Sequence, residues 1–433
     1  MGKKKIYEKD WMYDILKPAV DCVIYHSYRK IEVYGEDNLP TDGPFILAPN
    51  HCNTLMDALV MLRANRCETV FGARADMFRN PLIAKAMFFF RILPMVRQRD
   101  GLRNVLKNAE TQDLIVETLE NDVRFCIYPE GRHRPAKSLL PLGKGVFRAA
   151  LAANAKFGNT KPIYIVPVGL EYGDFFRYRS TSLATYGKPI NVTEFVKGVE
   201  TENEAQIIDA LRKELTARMS GLFTYIKDDE RLNEKWVLTK MLSIASGKQG
   251  KTLHDRMLEN RKFVERIEKA VEEHAEEMHE LLEEVKEFDR YRRKDGISIY
   301  SFRKTNCLNL ILKGFGALIG LPYFIFSAAA SLPMWVTEKV LRCKIKDRAF
   351  RNTASFGVKL AMGPLWLGAL IITAFCTLSW PMALIGSILA IPSFSYFHDY
   401  IEYVRIFVSD IRLLNCKKLR KRFMQTLDRF EVL

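Results

Sequence analysis

The chain has 433 residues, 48% of them hydrophobic and 11% aromatic, with a formal net charge of +15. That length allows two or three units of ordinary domain size, and the composition excludes wholesale disorder. The basic excess calls for an anionic partner: nucleic acid, an anionic bilayer surface or a phosphorylated substrate.

Eight scattered cysteines form no C-x-x-C pair, which argues against a zinc site or disulfide framework and fits a reducing cytoplasm. The basic start Met1–Lys5 leads into no clean apolar stretch, so no secretory signal is expected. Ile6 stands where an N-myristoylation motif needs Ser or Thr. Residues 1–30 carry Trp11, Ile15, Leu16, Val20, Val23 and Ile24 at helical spacing after Lys3–Lys5. This suits an amphipathic helix, either lying on a membrane surface or packed on the next domain.

Residues 31–200 alternate short apolar runs with helical patterns. Phe45–Ala48, Thr69–Phe71, Phe125–Tyr128 and Tyr164–Val168 read as buried strands; Thr54–Ala64, Asn80–Phe90, Asn104–Leu119 and Gly145–Ala155 read as helices. The expectation is an α/β domain with a partly parallel sheet, whose functional groups gather in loops at strand ends. Residues 201–300 form a charged helical subdomain or coiled-coil-like hairpin, with Asn203–Tyr225 and Leu253–Tyr291 showing three-and-four spacing. His274 and His279 are five apart, not the four that sets two metal ligands on one helical face, and read as a solvated surface.

Residues 301–433 change character again. Gly314–Val336 holds 23 residues without a charge and Leu360–Phe397 holds 38, against about 20 for one helical crossing. The longer run is expected to cross twice, turning at Trp380-Pro381. The first, interrupted by Pro322 and Pro333, is expected to dip in and return, because a crossing would strand the basic segment Thr337–Lys359 on the far side. With the tail cluster Lys417, Lys418, Arg420, Lys421 and Arg422, these flanks place a phospholipid membrane among the partners, with the α/β domain on the cytoplasmic side.

Two stretches carry chemistry. In Pro49-Asn50-His51-Cys52-Asn53-Thr54-Leu55-Met56-Asp57 a strand ends, a polar turn follows and a helix begins. On one continuous helix His51 and Asp57 would lie roughly 120° apart, so they meet only if His51 sits on the turn and folds back. Asp57 would then hold one ring nitrogen while the other takes a proton from an alcohol. In Tyr128-Pro129-Glu130-Gly131-Arg132-His133-Arg134 a strand runs into a Gly turn flanked by guanidinium groups. Arg grips phosphate through paired charge-assisted bonds, and Leu142-Gly143-Lys144-Gly145 adds a cation and a helix start.

These stretches resemble the glycerol-3-phosphate and 1-acylglycerol-3-phosphate acyltransferases. Asn50-His51-x5-Asp57 is similar to their first block and Tyr128-Pro129-Glu130-Gly131-Arg132 to their Phe-Pro-Glu-Gly block. Ala73–Phe78 with Leu93–Arg97 resembles the second block, and Ile165–Gly169 the fourth. The resemblance covers roughly residues 30–190. It implies a glycerolipid-acyltransferase-like mixed sheet with flanking helices, His51 as general base and Asp57 as its orienting partner. Glu130 and Gly131 would shape the acceptor pocket, with Arg74, Arg97, Arg132 and Arg134 as phosphate ligands; Arg132, His133 and Arg134 follow the Gly directly, where many members place one Arg a position later. The acceptor would be glycerol 3-phosphate or its 1-acyl derivative (lysophosphatidate). The donor would be acyl-CoA, an acyl carrier protein thioester or an acyl phosphate, with no other cofactor and no metal. A thiol nucleophile at Cys52 is not needed for direct transfer. The alternatives are a non-catalytic membrane scaffold or lipid-binding protein, and nucleic-acid binding, for which the sequence offers no motif. Oligomeric state is not encoded in any of these motifs.

Overall fold

The structure, a computed structural model, describes residues 5–8, 10–65, 68–95, 105–227, 230–247, 250–303 and 307–433. It divides into two compact units. The first comprises Met1–Tyr25, Lys30–Phe175 and Thr181–Phe223; the second comprises His26–Arg29, Phe176–Ser180 and Thr224–Leu433.

The first unit is built on one mixed sheet. Its strands are β1 (Lys30–Tyr34), β2 (Phe45–Pro49), β3 (Thr69–Arg74), β4 (Ile92–Met95), β5 (Arg124–Cys126), β6 (Tyr164–Tyr172), β7 (Thr181–Tyr186) and β8 (Ile190–Asn191). The order is β1-β7-β6-β2-β5-β3-β4, with β8 also on β6. The run β6-β2-β5-β3-β4 is parallel, whereas β7 and β8 lie antiparallel to β6. Every residue of β2 is buried, as a strand covered on both faces requires. Its connecting helices are α1 (Trp11–Ser27), α2 (Leu55–Ala64), α3 (Pro81–Phe89), α4 (Val105–Glu120), α5 (Gly145–Phe157), α6 (Val192–Gly198) and α7 (Glu204–Ser220). Strands β1, β4, β7 and β8 go beyond the sequence reading: β1 and β4 are the two edges of the sheet, β8 has two residues, and β7 mixes Thr181, Ser182 and Thr185 with its apolar residues. Strand β5 ends two residues earlier than expected, which releases Tyr128 toward the site.

In the second unit α8 (Leu232–Ala245), α9 (Leu253–Glu273), α10 (Ala275–Lys294) and α14 (Lys417–Val432) share a core that includes Met241, Ile267, Leu281, Phe288, Phe423 and Phe430. The expected charged run breaks at His274, whose φ of −134° and ψ of 56° leave the helical region. A capping box of Thr252 and Asp255 starts α9. The basic tail is therefore a packed helix, with Leu419, Phe423 and Leu427 turned inward and its cations outward.

Among the described residues, three helices are long and apolar enough to cross a membrane: α11 (Cys307–Lys344), α12 (Phe350–Thr377) and α13 (Trp380–Asn415). The turn in the long apolar run falls at Leu378-Ser379, with Pro381 in the first turn of α13. The first run corrects the expectation. It is not interrupted at Pro322 and Pro333 but forms one continuous 38-residue helix through both, about 57 Å along its path. A helix satisfies its backbone internally, and an irregular turn among apolar side chains would not.

Candidate active site

The parallel strands β2, β3, β4 and β5 deliver their C-terminal ends to one edge of the sheet, where α/β folds place ligand-binding loops. His51 follows β2 and sits on the turn before α2. Its Nδ1 lies 2.7 Å from Asp57 Oδ2. The ring retains 18% exposure while Asp57 has none.

Asp57 is the centre around which this turn is wound. Its Oδ2 also accepts from the backbone N–H groups of Cys52 (2.8 Å) and Asn53 (2.7 Å), and its Oδ1 from the Tyr172 hydroxyl at 2.7 Å. An ionised carboxylate buried without a cation needs such donors, because each one replaces lost water. The six-residue spacing is accommodated at Thr54, which has φ 52° and ψ −130°. These are the angles of the first central residue of a type II′ turn, closed by Met56 N–H on the Asn53 carbonyl at 3.0 Å. A β-branched residue adopts them only under strain.

The second loop is tied to the first through the His51 backbone. Glu130 Oε1 accepts from His51 N–H at 2.7 Å and Oε2 from Leu140 N–H at 2.9 Å. The Arg134 N–H reaches the His51 carbonyl at 3.0 Å. Burial is the main influence on Glu130, and despite these donors it pushes the carboxyl up to about 6. Glu130 is thus a clamp between loops, where the sequence reading had it shaping the pocket. Gly131 turns the loop at φ +64°, and open space lies where a side chain would begin.

The His51 ring stacks on Tyr128, with centroids 4.3 Å apart, and meets His133 edge-on at 5.7 Å. Arg132 is exposed on the same loop. Arg134 is half-buried and bonds Ser138 Oγ at 2.5 Å. Arg74 is exposed at the end of β3 and pairs with Asp76 at 3.1 Å, while Arg97 lies outside the described residues. The structure therefore brings His51, Asp57, Glu130, Gly131 and the backbone of Arg134 together. Arg74 stays with its own neighbour.

Cys52 is buried, and burial together with the Asp57 charge pushes its thiol well up. That direction disfavours the thiolate, the nucleophilic form. Among the described residues no group of three or more His, Cys, Asp or Glu side chains is placed to hold a metal ion.

Two contributors had no role assigned from the sequence, although Asn50 belongs to the first block. Tyr172 reaches Asp57 from 115 residues away, a contact only the sheet creates. Asn50 locks the end of β2 to β6, accepting from Leu170 N–H at 2.6 Å and donating to the Leu170 carbonyl at 3.1 Å. Its place beside His51 was the only available signal.

Comparison with known proteins gives the following. Residues 30–171 match the family model described as Acyltransferase. The 1-acyl-sn-glycerol-3-phosphate acyltransferase alpha of Mus musculus is 25% identical over 162 residues, 37% of this chain and 52% of that protein. The glycerol-3-phosphate O-acyltransferase 2 of Saccharomyces cerevisiae is 31% identical over 111 residues, 26% of this chain and 15% of the relative. The chain thus spans about half the length of the first and far less of the second. The crystal structure of a 1-acyl-sn-glycerophosphate acyltransferase from Thermotoga maritima overlaps 48% of this chain and 83% of its own, with 16% identity and a TM-score of 0.32.

Proposed function

We propose, from the match of residues 30–171 to the acyltransferase family model, that the chain transfers a fatty acyl group to the hydroxyl of glycerol 3-phosphate or 1-acylglycerol 3-phosphate at a membrane. The carrying observation is the 2.7 Å contact of His51 Nδ1 with an Asp57 otherwise held by backbone, hydroxyl and thiol donors.

With Asp57 accepting the Nδ1 proton, Nε2 keeps its lone pair and serves as general base. The acceptor oxygen attacks the acyl carbonyl carbon as Nε2 takes the hydroxyl proton. The tetrahedral adduct then expels thiolate or phosphate, and the imidazolium returns the proton to that leaving group. The donor is an acyl thioester or acyl phosphate. Stacking on Tyr128 and the Glu130 clamp hold the imidazole in one orientation, which reduces what must be ordered in the transition state.

Arg132, exposed on the loop after Gly131, is the phosphate ligand this reading favours, whereas the Arg134 guanidinium bonds Ser138 Oγ. Exposed apolar side chains support a bilayer setting for the first unit: Trp11 and Ile15 on α1, Leu82 and Ile83 on α3. None of the α3 side chains is buried, which suits lipid contact. In the second unit α11, α12 and α13 would span the bilayer.

The test is the purified full chain in detergent, offered each acceptor with acyl-CoA, acyl carrier protein thioester or acyl phosphate. Formation of lysophosphatidate or phosphatidate, lost in His51→Ala, is expected. Undiminished product from that variant would remove the mechanism.

A further inference from the structure

The second unit contains a cavity of about 370 Å³ where α11, α12 and α13 meet, lined by Trp335, Lys339, Arg342, Arg351, Phe397 and His398 among others. It also contains Glu338, which is 2% exposed. That carboxylate is consumed locally: it accepts from Ser355 Oγ at 2.6 Å, Arg342 at 2.8 Å and His398 Nε2 at 3.1 Å.

The other cations are not matched in this way. Lys339 Nζ lies 5.2 Å from the centre of the Trp335 ring, and Arg351 reaches only the Ile345 carbonyl, at 3.5 Å. Among the described residues no carboxylate pairs with either. The cavity therefore carries two surplus positive charges above an apolar floor, where Trp335 meets Phe397 edge-on at 5.8 Å. Its place along the helices is equally specific. The uncharged run of α11 ends at Val336, so Lys339 and Arg342 fall where apolar sequence gives way to the basic connection. Arg351 opens α12 on the other side of that connection. In a helix that enters a bilayer this is headgroup level, where cations meet phosphate and adjoining apolar surface meets acyl chains.

We propose that this cavity binds the phosphate headgroup of an anionic phospholipid, with Lys339 and Arg351 on the phosphate and Trp335 and Phe397 against the start of the acyl chains. The proposal rests on the reading of α11, α12 and α13 as membrane helices, and it is independent of His51 chemistry.

The test is native mass spectrometry of the full chain in detergent, incubated with phosphatidic acid or phosphatidylcholine of matched chains. The wild type should retain phosphatidic acid roughly tenfold over phosphatidylcholine, and Lys339→Gln with Arg351→Gln should erase that preference. The exchange Lys339→Arg with Arg351→Lys should keep it. Lys344→Gln with Lys346→Gln removes the same charge from the end of α11 and the connection after it, outside the cavity, and should keep it too. Equal retention of the two lipids by the wild type would overturn the proposal. So would a Lys344 and Lys346 variant that loses as much as the cavity variant, or displacement of the lipid by excess inorganic phosphate. His51→Ala is measured in parallel: lipid retained with transfer lost leaves both readings standing. Lipid retained with transfer intact sinks only the catalytic one.

Discussion

Each unit buries a carboxylate against a histidine, and the two pairs differ in what else surrounds the carboxylate. Asp57 faces His51 and is otherwise held by two backbone N–H groups, the Tyr172 hydroxyl and, at 3.7 Å, the Cys52 thiol. Glu338 faces His398 but also takes the Arg342 guanidinium. A guanidinium cancels the charge that would stabilise an imidazolium, whereas neutral donors hold the carboxylate in place and leave that charge intact. The first arrangement suits a base that must accept a proton and give it back. The second keeps a charge tolerable among apolar helices. A His–carboxylate contact is therefore not by itself a catalytic pair; its remaining partners decide.

The largest effect that would break this comparison is the loss of His51. His51→Ala should lower kcat/KM about 10³-fold or more, since a positioned base supplies 10²–10⁴ and its removal also loosens the stacked Tyr128. Steady-state kinetics with either acceptor measures this. Activity within tenfold of wild type would place His51 with His398, as a structural imidazole.

Arg132 and Arg134 divide the neighbouring loop in the same manner, one facing outward and one spent on the fold. Arg132→Ala should raise the acceptor KM roughly tenfold or more with kcat largely kept, the signature of a lost charge-assisted phosphate contact. Arg134→Ala should instead lower thermal stability, because it releases Ser138. If the two variants shifted KM alike, the division would fail.

Glu130 gives a pH dependence. Its folded pKa of about 6 stands above the ordinary 4.5, so between those values the folded state holds more protons than the unfolded state. The stability this group contributes is complete below about pH 4.5 and is lost as pH rises to 6, a change of about 2 kcal/mol. Glu130→Gln cannot titrate, so that segment of its melting-temperature profile should flatten, although the amide lowers the whole curve by opposing one backbone N–H. A wild-type profile parallel to the variant between pH 4 and 7 would contradict the buried-clamp account.

The sharpest test of the Asp57 environment is Tyr172→Phe, which removes one donor and touches no substrate in the proposed mechanism. A roughly tenfold fall in kcat with KM unchanged is expected, accompanied by about 1 kcal/mol of lost stability. A stability loss with unchanged kcat would show that Tyr172 holds the fold and not the base.

These residues also show what could be read in the chain beforehand. Two short motifs placed His51 and the Glu130 loop at strand ends, because strand, turn and helix signals lie next to one another in sequence. Tyr172 and Asn50 act through pairing of β2 with β6, and Leu140 meets Glu130 by a loop closure ten residues long. No local pattern records such contacts. In the second unit the lengths of the apolar runs were legible, while the path of the first was not. Prolines usually end helices in water, but α11 continues through two of them where the alternative is an unsatisfied backbone.

The smallest effect concerns Thr54, where the extra length between His51 and Asp57 is stored as backbone strain. Glycine ordinarily destabilises relative to alanine by roughly 0.5–1 kcal/mol because it has more freedom to lose. At φ 52° and ψ −130° the order should reverse, since a Cβ costs roughly 1–3 kcal/mol there and glycine has none. Thr54→Gly and Thr54→Ala lose the same buried hydroxyl and methyl, so their difference isolates the turn. The glycine variant should melt a few degrees above the alanine variant, with transfer activity closer to wild type, because the N–H groups of Cys52 and Asn53 stay aimed at Asp57. The opposite order would mean that Thr54 is relaxed and that the six-residue spacing is absorbed elsewhere in the turn. The aim of the Cys52 and Asn53 N–H groups at Asp57 would then come from another part of the turn.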